Sequence, residues 1–311
     1  MVASKFLAFL ALAAAAVAAP ASIERRAEPG QANIDDVILN YALTLEHLEN
    51  AFYKELPSLQ AFSAAGYDTF VHARFLQIGG HEASHVKFLS QALGDKATKP
   101  CTYDFGVNGD VNKFVQTSVV LEGVGVSAYA GAAQNITSPA YLTAAATVLT
   151  TEARHSAWAQ AAARKGRADG DPAGAAYDTP LTSFSQVYSL AAPFIKKCPD
   201  SNPALPVKAF PAASWSTTPT TGATVGVKGD GVKDGQSVAF ITAAGTTALA
   251  KIQGGKVTVP AEVQGGRTYA VVIKADAKAV SDDNTVAILS PFDVLRTPKE
   301  AANRARAGKE N

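Results

Sequence analysis

The residues best able to do chemistry occur as a doubled pattern. Glu46 is followed by Tyr53 and then by Glu82-Ala-Ser-His85; Glu122 is followed by Tyr129 and then by Glu152-Ala-Arg-His155. The Glu-to-Tyr spacing is close to two helical turns and the Glu-to-His spacing about one, so each set presents its members on one helix face. Four helices packed with those faces together converge four carboxylates and two imidazoles. That is the donor set of a dinuclear metal site inside a helix bundle.

A lone Glu-x-x-His means little, because the wet face of any helix can carry such a pair. Here the carboxylates fall on apolar stripes. Glu82 has Phe75, Ile78, Val86 and Leu89 at helix-neighbour offsets, and Glu122 has Val115, Val119, Val126 and Tyr129. Glu152 follows Ala145 and Val148, and Glu46 lies between Ala42 and Tyr53 beside Leu45. Buried carboxylates need compensation or they protonate. Two divalent cations would balance four carboxylates with both histidines neutral, and iron or manganese suits such a shell. Glu82 and Glu152 are expected to bridge or nearly bridge the metals, with His85 and His155 as terminal ligands. Tyr53 and Tyr129 are expected to donate to carboxylates across the bundle. The competing expectation is a metal-free polar network of the same residues. Glu49, one turn beyond Glu46, competes with it as a ligand. His47 and His72 fall outside the pattern and are expected at the surface or in capping roles.

The first copy also reads His81-Glu82-Ala-Ser-His85, the H-E-x-x-H of zinc-protease helices, in which two histidines hold zinc and the glutamate activates water. A third ligand in the H-x-x-G-x-x-H continuation is missing: Val86, Lys87, Phe88 and Leu89 follow, and the next histidine is His155. The second copy has Thr151 where the first has His81. What both halves share is Glu-x-x-His, so the protease ranks third.

The elements that must position these residues read as helices. Apolar positions recur at helical spacing from Val37 to Phe52, after Asp35-Asp36, which can cap and charge a helix start, and before Pro57. A second helix is expected from about Asp68 to Leu93, stopped by Gly94, with Gly79-Gly80 marking a kink or close packing. The third and fourth are expected at about 110–134 and 138–165, rich in small residues that allow close approach. A shorter fifth passes through Phe184, Val187, Tyr188 and Leu190. After Cys198 the composition changes to a Pro/Ser/Thr stretch, and then the period becomes two. Short runs at 224–228, 237–243, 247–252, 256–259, 268–275 and 285–289, parted by Gly, Asp and Asn, predict a small β-sandwich of immunoglobulin or fibronectin type.

The 311 residues therefore divide into a signal peptide (1–19), a pro-segment (20–26), a helical bundle (27–200), a linker (201–222), a β-sandwich (223–290) and a charged tail (291–311). Lys5 followed by the apolar run Phe6–Ala19 has the form of a secretory signal, too short for a membrane span. Arg25-Arg26 resembles a processing site. With two cysteines in an oxidising compartment, Cys101 and Cys198 are expected to pair. Asn135-Ile-Thr137 is an N-glycosylation acceptor. Net charge is +1 with the signs interspersed, which leaves no basic stripe for nucleic acid.

Ala42-Leu-Thr-Leu-Glu-His-Leu-Glu-Asn-Ala-Phe-Tyr53, His81-Glu-Ala-Ser-His-Val-Lys-Phe-Leu89 and Asp178-Thr-Pro-Leu181 resemble the secreted ferritin-like domains of fungal stress-response and late-sexual-development proteins, related to plant desiccation-related proteins. Ala191-Ala-Pro-Phe-Ile195 with Cys198 fits the same family. The resemblance runs from about Ile34 to Pro199. It implies a di-iron or dimanganese centre on Glu46, Glu82, His85, Glu122, Glu152 and His155, and redox work on oxygen or peroxide. The first expectation is thus a secreted ferritin-like protein with catalase-like or ferroxidase-like turnover of peroxide, oxygen or iron. Mineral storage does not fit, because an appended β domain would obstruct a symmetric shell. The second is a metal-free extracellular or cell-wall protein whose β domain binds a polysaccharide or a protein.

Overall fold

The computed structural model describes residues 33–165 and 175–294. The expected signal peptide, the pro-segment and most of the charged tail lie outside the described residues. No helix among the described residues is long and apolar enough to cross a membrane.

Four long helices build the first region: α1 (Ile34–Tyr53), α3 (Thr69–Leu93), α4 (Val111–Ala132) and α5 (Pro139–Ala163). A short helix not foreseen in the sequence, α2 (Leu59–Ala64), is capped by Ser58 and drops Phe62 into the core against Phe75 of α3 and Phe114 of α4. Side chains also cap three later helices. Asp110 accepts from the Lys113 amide at α4, Ser138 precedes Pro139 and accepts from the Tyr141 amide at α5, and Ser183 accepts from the Gln186 amide at α6 (Phe184–Ala191). Each such cap satisfies an amide that would otherwise be orphaned. Asp35 sits in the first turn of α1, where its charge suits the helix start, and it also reaches another helix. Its carboxylate accepts from Thr137 and from the Ser138 amide, so it ties the start of α1 to the start of α5.

α1 packs on α3, and α4 on α5. The first halves of α1 and α5 and the last halves of α3 and α4 share one end of the bundle, which also sets α3 parallel to α4. The stretch from Gly94 to Asp110 therefore returns the chain along the bundle, the one long crossover this topology needs. It is held by a two-stranded ladder between β1 (Thr102–Tyr103) and β2 (Ile195–Lys197), and beside it by the disulfide Cys101–Cys198. His47, expected at the surface or in a cap, is buried and bonded through Nε2 to the Thr98 carbonyl of the same crossover. His72 meets the Phe62 ring edge-on.

The second region is β-rich. Its strands are β3 (Ala212–Trp215), β4 (Thr224–Gly229), β5 (Ser237–Ile241), β6 (Thr247–Lys251), β7 (Lys256–Thr258), β8 (Gly266–Ile273) and β9 (Thr285–Val294). They form one order, β6-β5-β8-β9-β3-β4-β7, in which only the β3–β9 pairing is parallel. β6 and β7, the two end strands, come together, so the sheet nearly closes on itself. Val225, Val227 and Val257 on one side pack against Val238, Phe240, Val272 and Leu289 on the other. This is sandwich packing, with β3 joining the two leaves.

Alternate residues of the same strands face the helices. Ala239 and Ile241 of β5, Tyr269, Val271 and Ile273 of β8 and Ile288 of β9 belong to the core of the bundle. Strands buried on both faces read as continuous apolar runs, as Ser237–Ile241 and Thr268–Ile273 do. The helical and β regions form a single compact unit. Two boundaries differ from the sequence expectation. The stretch 201–222 is no free linker: Leu205, Val207 and Phe210 pack on the helical core, and β3 lies inside it. The sandwich runs on to Val294, past the expected limit at 290, because β9 continues its ladder with Gly266–Thr268.

Glycines fix the docking. A Cβ at Gly123 of α4 would lie 2.4 Å from the Arg267 guanidinium, and one at Gly131 would meet the Leu181 carbonyl. Arg267 donates to the Val119 carbonyl and to Asp293, while the Tyr269 hydroxyl donates to the Gly123 carbonyl and meets Ser127 Oγ. The small residues of α4 thus admit the β region as well as a neighbouring helix. At Gly79 the expected close packing is present, against Tyr53; Gly80 has open space.

Candidate metal centre

Each helix delivers its part of the pattern to one place. Glu46 on α1, Glu82 on α3, Glu122 on α4 and Glu152 on α5 are fully buried, and His155 nearly so. His85 retains slight exposure. Two sets of donor atoms form. Glu46, Glu82, His85 and Glu152 make one, and Glu82, Glu122, Glu152 and His155 make the other, with the donor atoms of each set within 4.8 Å of one another. Glu82 and Glu152, the glutamates of the two Glu-x-x-His pairs, belong to both.

The histidines present Nδ1. His85 Nδ1 lies 3.2 Å from Glu46 Oε2, Glu82 Oε2 and Glu152 Oε1. His155 Nδ1 lies 2.9 Å from Glu82 Oε1 and 3.3 Å from Glu122 Oε2. Those latter contacts are near without being hydrogen bonds in geometry: among the described residues, His155 Nδ1, Glu82 Oε1, Glu122 Oε2 and both oxygens of Glu152 find no hydrogen-bond partner. Buried polar atoms are nearly always satisfied, and leaving one unsatisfied costs about 1–3 kcal/mol, more when charged. A cluster of orphaned atoms that converge on common points fits cations placed between them.

The two tyrosines cross the bundle reciprocally. Tyr53 of α1 donates to Glu122 Oε1 of α4, and Tyr129 of α4 donates to Glu46 Oε1 of α1 at 2.6 Å. Burial first, and then the neighbouring glutamates, raise both phenols well above their ordinary range, so they stay protonated donors. Each takes one oxygen of its glutamate and leaves the other for the centre.

The electrostatics describe a site short of positive charge. Burial raises Glu152 and Glu49 well above the carboxylate range, and the surrounding glutamates add to it. Burial also lifts Glu82, to about 7, against the lowering pull of His155 and His85. For the histidines burial works the other way, but the carboxylates around them win. Glu152, Glu46 and Glu82 hold His85 at about 12, and Glu122 and Glu82 hold His155 at about 9. Without metal the cluster balances itself with protons.

Two residues have places the sequence did not indicate. Glu49 competes with Glu46 in the pattern, but the structure separates them. Glu46 joins a donor set, whereas Glu49 is buried next to it, in neither set. Its partner in space is Gly125, one turn beyond Glu122 as Glu49 is beyond Glu46. A Cβ there would meet Glu152 Oε2 at 2.9 Å and Glu49 Oε1 at 3.1 Å. His81 is in neither donor set. Its Nδ1 lies 2.9 Å from Nε2 of His155, so it does not join His85 on one ion as a zinc-protease helix requires.

The ends of the bundle differ. Phe52, Phe62, Phe75 and Phe114 cluster at one end, with Phe52 stacked on Phe114 and Phe75 edge-on to it. At the other end Ala42, Ala128, Ala132, Ala145, Val148 and Tyr129 line a small apolar cavity of about 30 Å³. Asn135, the expected glycan acceptor, is exposed just past α4, and the hydroxyl of Thr137 in the same sequon donates to Asp35.

Residues 34–165 match the family model of the ferritin-like domain. The match covers α1 to α5, hence all six expected ligands, and none of the β region. No curated protein matches the chain.

Proposed function

We propose that the ferritin-like domain at residues 34–165 holds two iron or manganese ions on Glu46, Glu82, His85, Glu122, Glu152 and His155. The observation that carries this reading is the overlap of the two donor sets on Glu82 and Glu152, with orphaned buried atoms at their meeting point. When bound, the ions supply electron transfer to or from a small oxidant, peroxide or dioxygen. The protein's share is fixed by its own residues. Glu82 and Glu152 hold the two positions together, Glu46 with His85 completes one, and Glu122 with His155 completes the other. Tyr53 and Tyr129 hold the terminal carboxylates in place. The phenylalanine cluster fills one end of the bundle, and His85 is the donor that retains exposure.

We further propose that the protein works outside the cell. The apolar run Phe6–Ala19 and the disulfide Cys101–Cys198 support an oxidising compartment. The β region lends less support to a docking role than its sequence suggests, because the inner faces of β5 and β8 are used by its own core and the outer faces by the bundle.

Metal analysis of chelator-free protein tests the reading. About two iron or manganese per chain is the expected result, and replacing Glu82 and Glu152 together by glutamine should abolish it. A folded protein with no metal would favour the extracellular scaffold, and one zinc per chain the protease.

A further inference from the structure

The doubled pattern is broken at one pair of positions, His81 and Thr151, each directly before the glutamate of its Glu-x-x-His. Their side chains do different things. His81 lies across the bundle from α5, its ring nearly parallel to that of His155 at 18° with centroids 5.1 Å apart. Its Nδ1 is 2.9 Å from His155 Nε2. Thr151 turns back on its own helix, where Oγ1 donates to the Thr147 carbonyl at 3.1 Å and accepts from Arg154 Nη2 at 3.0 Å. It has no comparable reach toward His85.

We propose that His81 is a positioning residue for His155 that makes the two metal positions unequal; this rests on the dinuclear reading above. A ligating imidazole needs a free lone pair on the ligating nitrogen, so its proton must sit on the other one. His155 turns Nδ1 toward Glu82 and Glu122, which leaves Nε2 to carry the proton. At 2.9 Å, His155 Nε2–H donates to His81 Nδ1, and His81 carries its own proton on Nε2. That bond sets the ring plane of His155 and keeps a proton on Nε2, so that Nδ1 is the nitrogen that gives up its proton when an ion binds. Partners of this kind change metal affinity by about 10- to 100-fold. His85 has no imidazole behind it at the matching position, so the Glu122/His155 position is held more tightly than the Glu46/His85 position.

Cobalt(II) titration of the metal-free full chain, followed by calorimetry and cobalt absorption, tests this with two variants. His81→Phe keeps a ring beside His155 but offers no acceptor; His81→Gln removes the ring and keeps an acceptor. The expected result is two cobalt sites in the parent and in His81→Gln, while His81→Phe loses about 10- to 100-fold at one site and leaves the other unchanged. Should His81→Phe fail to fold, as judged by its metal-free unfolding curve, His81→Leu takes its place with the same expected result. Equal affinities in parent and both variants would overturn the proposal, as would loss at both sites together, or loss in His81→Gln with retention in His81→Phe. A parent chain that binds no cobalt would overturn the dinuclear reading itself, and this inference with it.

Discussion

Tyr129 on α4 donates its hydroxyl to Glu46 on α1 at 2.6 Å, and the relation is returned by Tyr53 of α1 on Glu122 of α4. Two halves of the chain thus exchange one phenol each, and each phenol restrains the carboxylate that completes the opposite half's donor set. Because the bonds are separate, their loss should be separate too. Tyr129→Phe is expected to weaken metal binding at the Glu46/His85 position by about 10- to 100-fold, and Tyr53→Phe to do the same at the Glu122/His155 position. Stepwise titration of both single variants and the double variant checks this; a double variant no weaker than either single would contradict it.

The metal-free protein should lose stability as pH rises. Folding raises His155 to about 9 and His85 to about 12 from 6.5, so their contribution is complete below 6.5 and is lost as pH climbs through the folded values. Glu82, raised to about 7, and Glu49 and Glu152, raised well above 4.5, act in the same direction. For a carboxyl raised on folding, stability is present below the unfolded value and lost above it. The folded chain therefore binds more protons than the unfolded one, which makes stability fall with pH across about 4.5 to 9. Metal displaces these protons, so its stabilising effect should grow over the same range. Thermal unfolding at pH 5 and pH 8, with chelator and with manganese, measures both slopes. A chelated protein more stable at pH 8 than at pH 5 would contradict the assignment.

The β region should unfold with the bundle rather than apart from it. Arg267 is paired with Asp293 and capped by the Val119 carbonyl, at a spot open only because residue 123 is glycine. Arg267→Ala leaves Asp293 without its partner and is expected to cost about 3–5 kcal/mol, the range for breaking a buried pair. Gly123→Ala should destabilise as well, since its Cβ meets the guanidinium. Denaturant unfolding of the Trp158→Phe chain, followed by helix and by Trp215 signals, is expected to give one transition. Two resolved transitions would contradict the shared core.

Reduction should cost stability without removing the centre. Cys101 and Cys198 are 97 residues apart in sequence and close the crossover onto the end of the helical region. Closing a loop of about 100 residues is worth about 4.7 kcal/mol at most, through the entropy of the unfolded chain. Urea midpoints for the parent and for Cys101→Ser/Cys198→Ser should differ accordingly, with metal content unchanged in the folded variant. Equal midpoints would contradict it.

Much of this was legible in the sequence where a pattern repeats. The long helices show their 3.6-residue period, and Glu82, Glu122 and Glu152 could be placed inside because their helix neighbours are apolar. What was not legible depends on partners far away in the chain. Arg267 follows Gly265-Gly266 and reads as a surface residue; only Gly123 and Asp293 make it an internal one. The apolar runs of β5 and β8 did carry a sign of double burial, but alternate-face strands and doubly buried ones look alike when so short. His81 is legible as part of H-E-x-x-H, but Thr151 does not repeat it, so the pattern common to both halves leaves it out. That departure from symmetry is where its contact with His155 lies. Glu49 needed Gly125, on another helix, to explain how a further carboxylate fits beside Glu152.

The account stands on two ions sharing Glu82 and Glu152. Anomalous diffraction from crystals of chelator-free protein, collected at the iron and manganese edges, tests that most directly. Two peaks are predicted, each within coordination distance of both glutamates, with His85 Nδ1 at one and His155 Nδ1 at the other. A single peak, a peak held by His81 and His85 together, or no peak in a folded chain would contradict it.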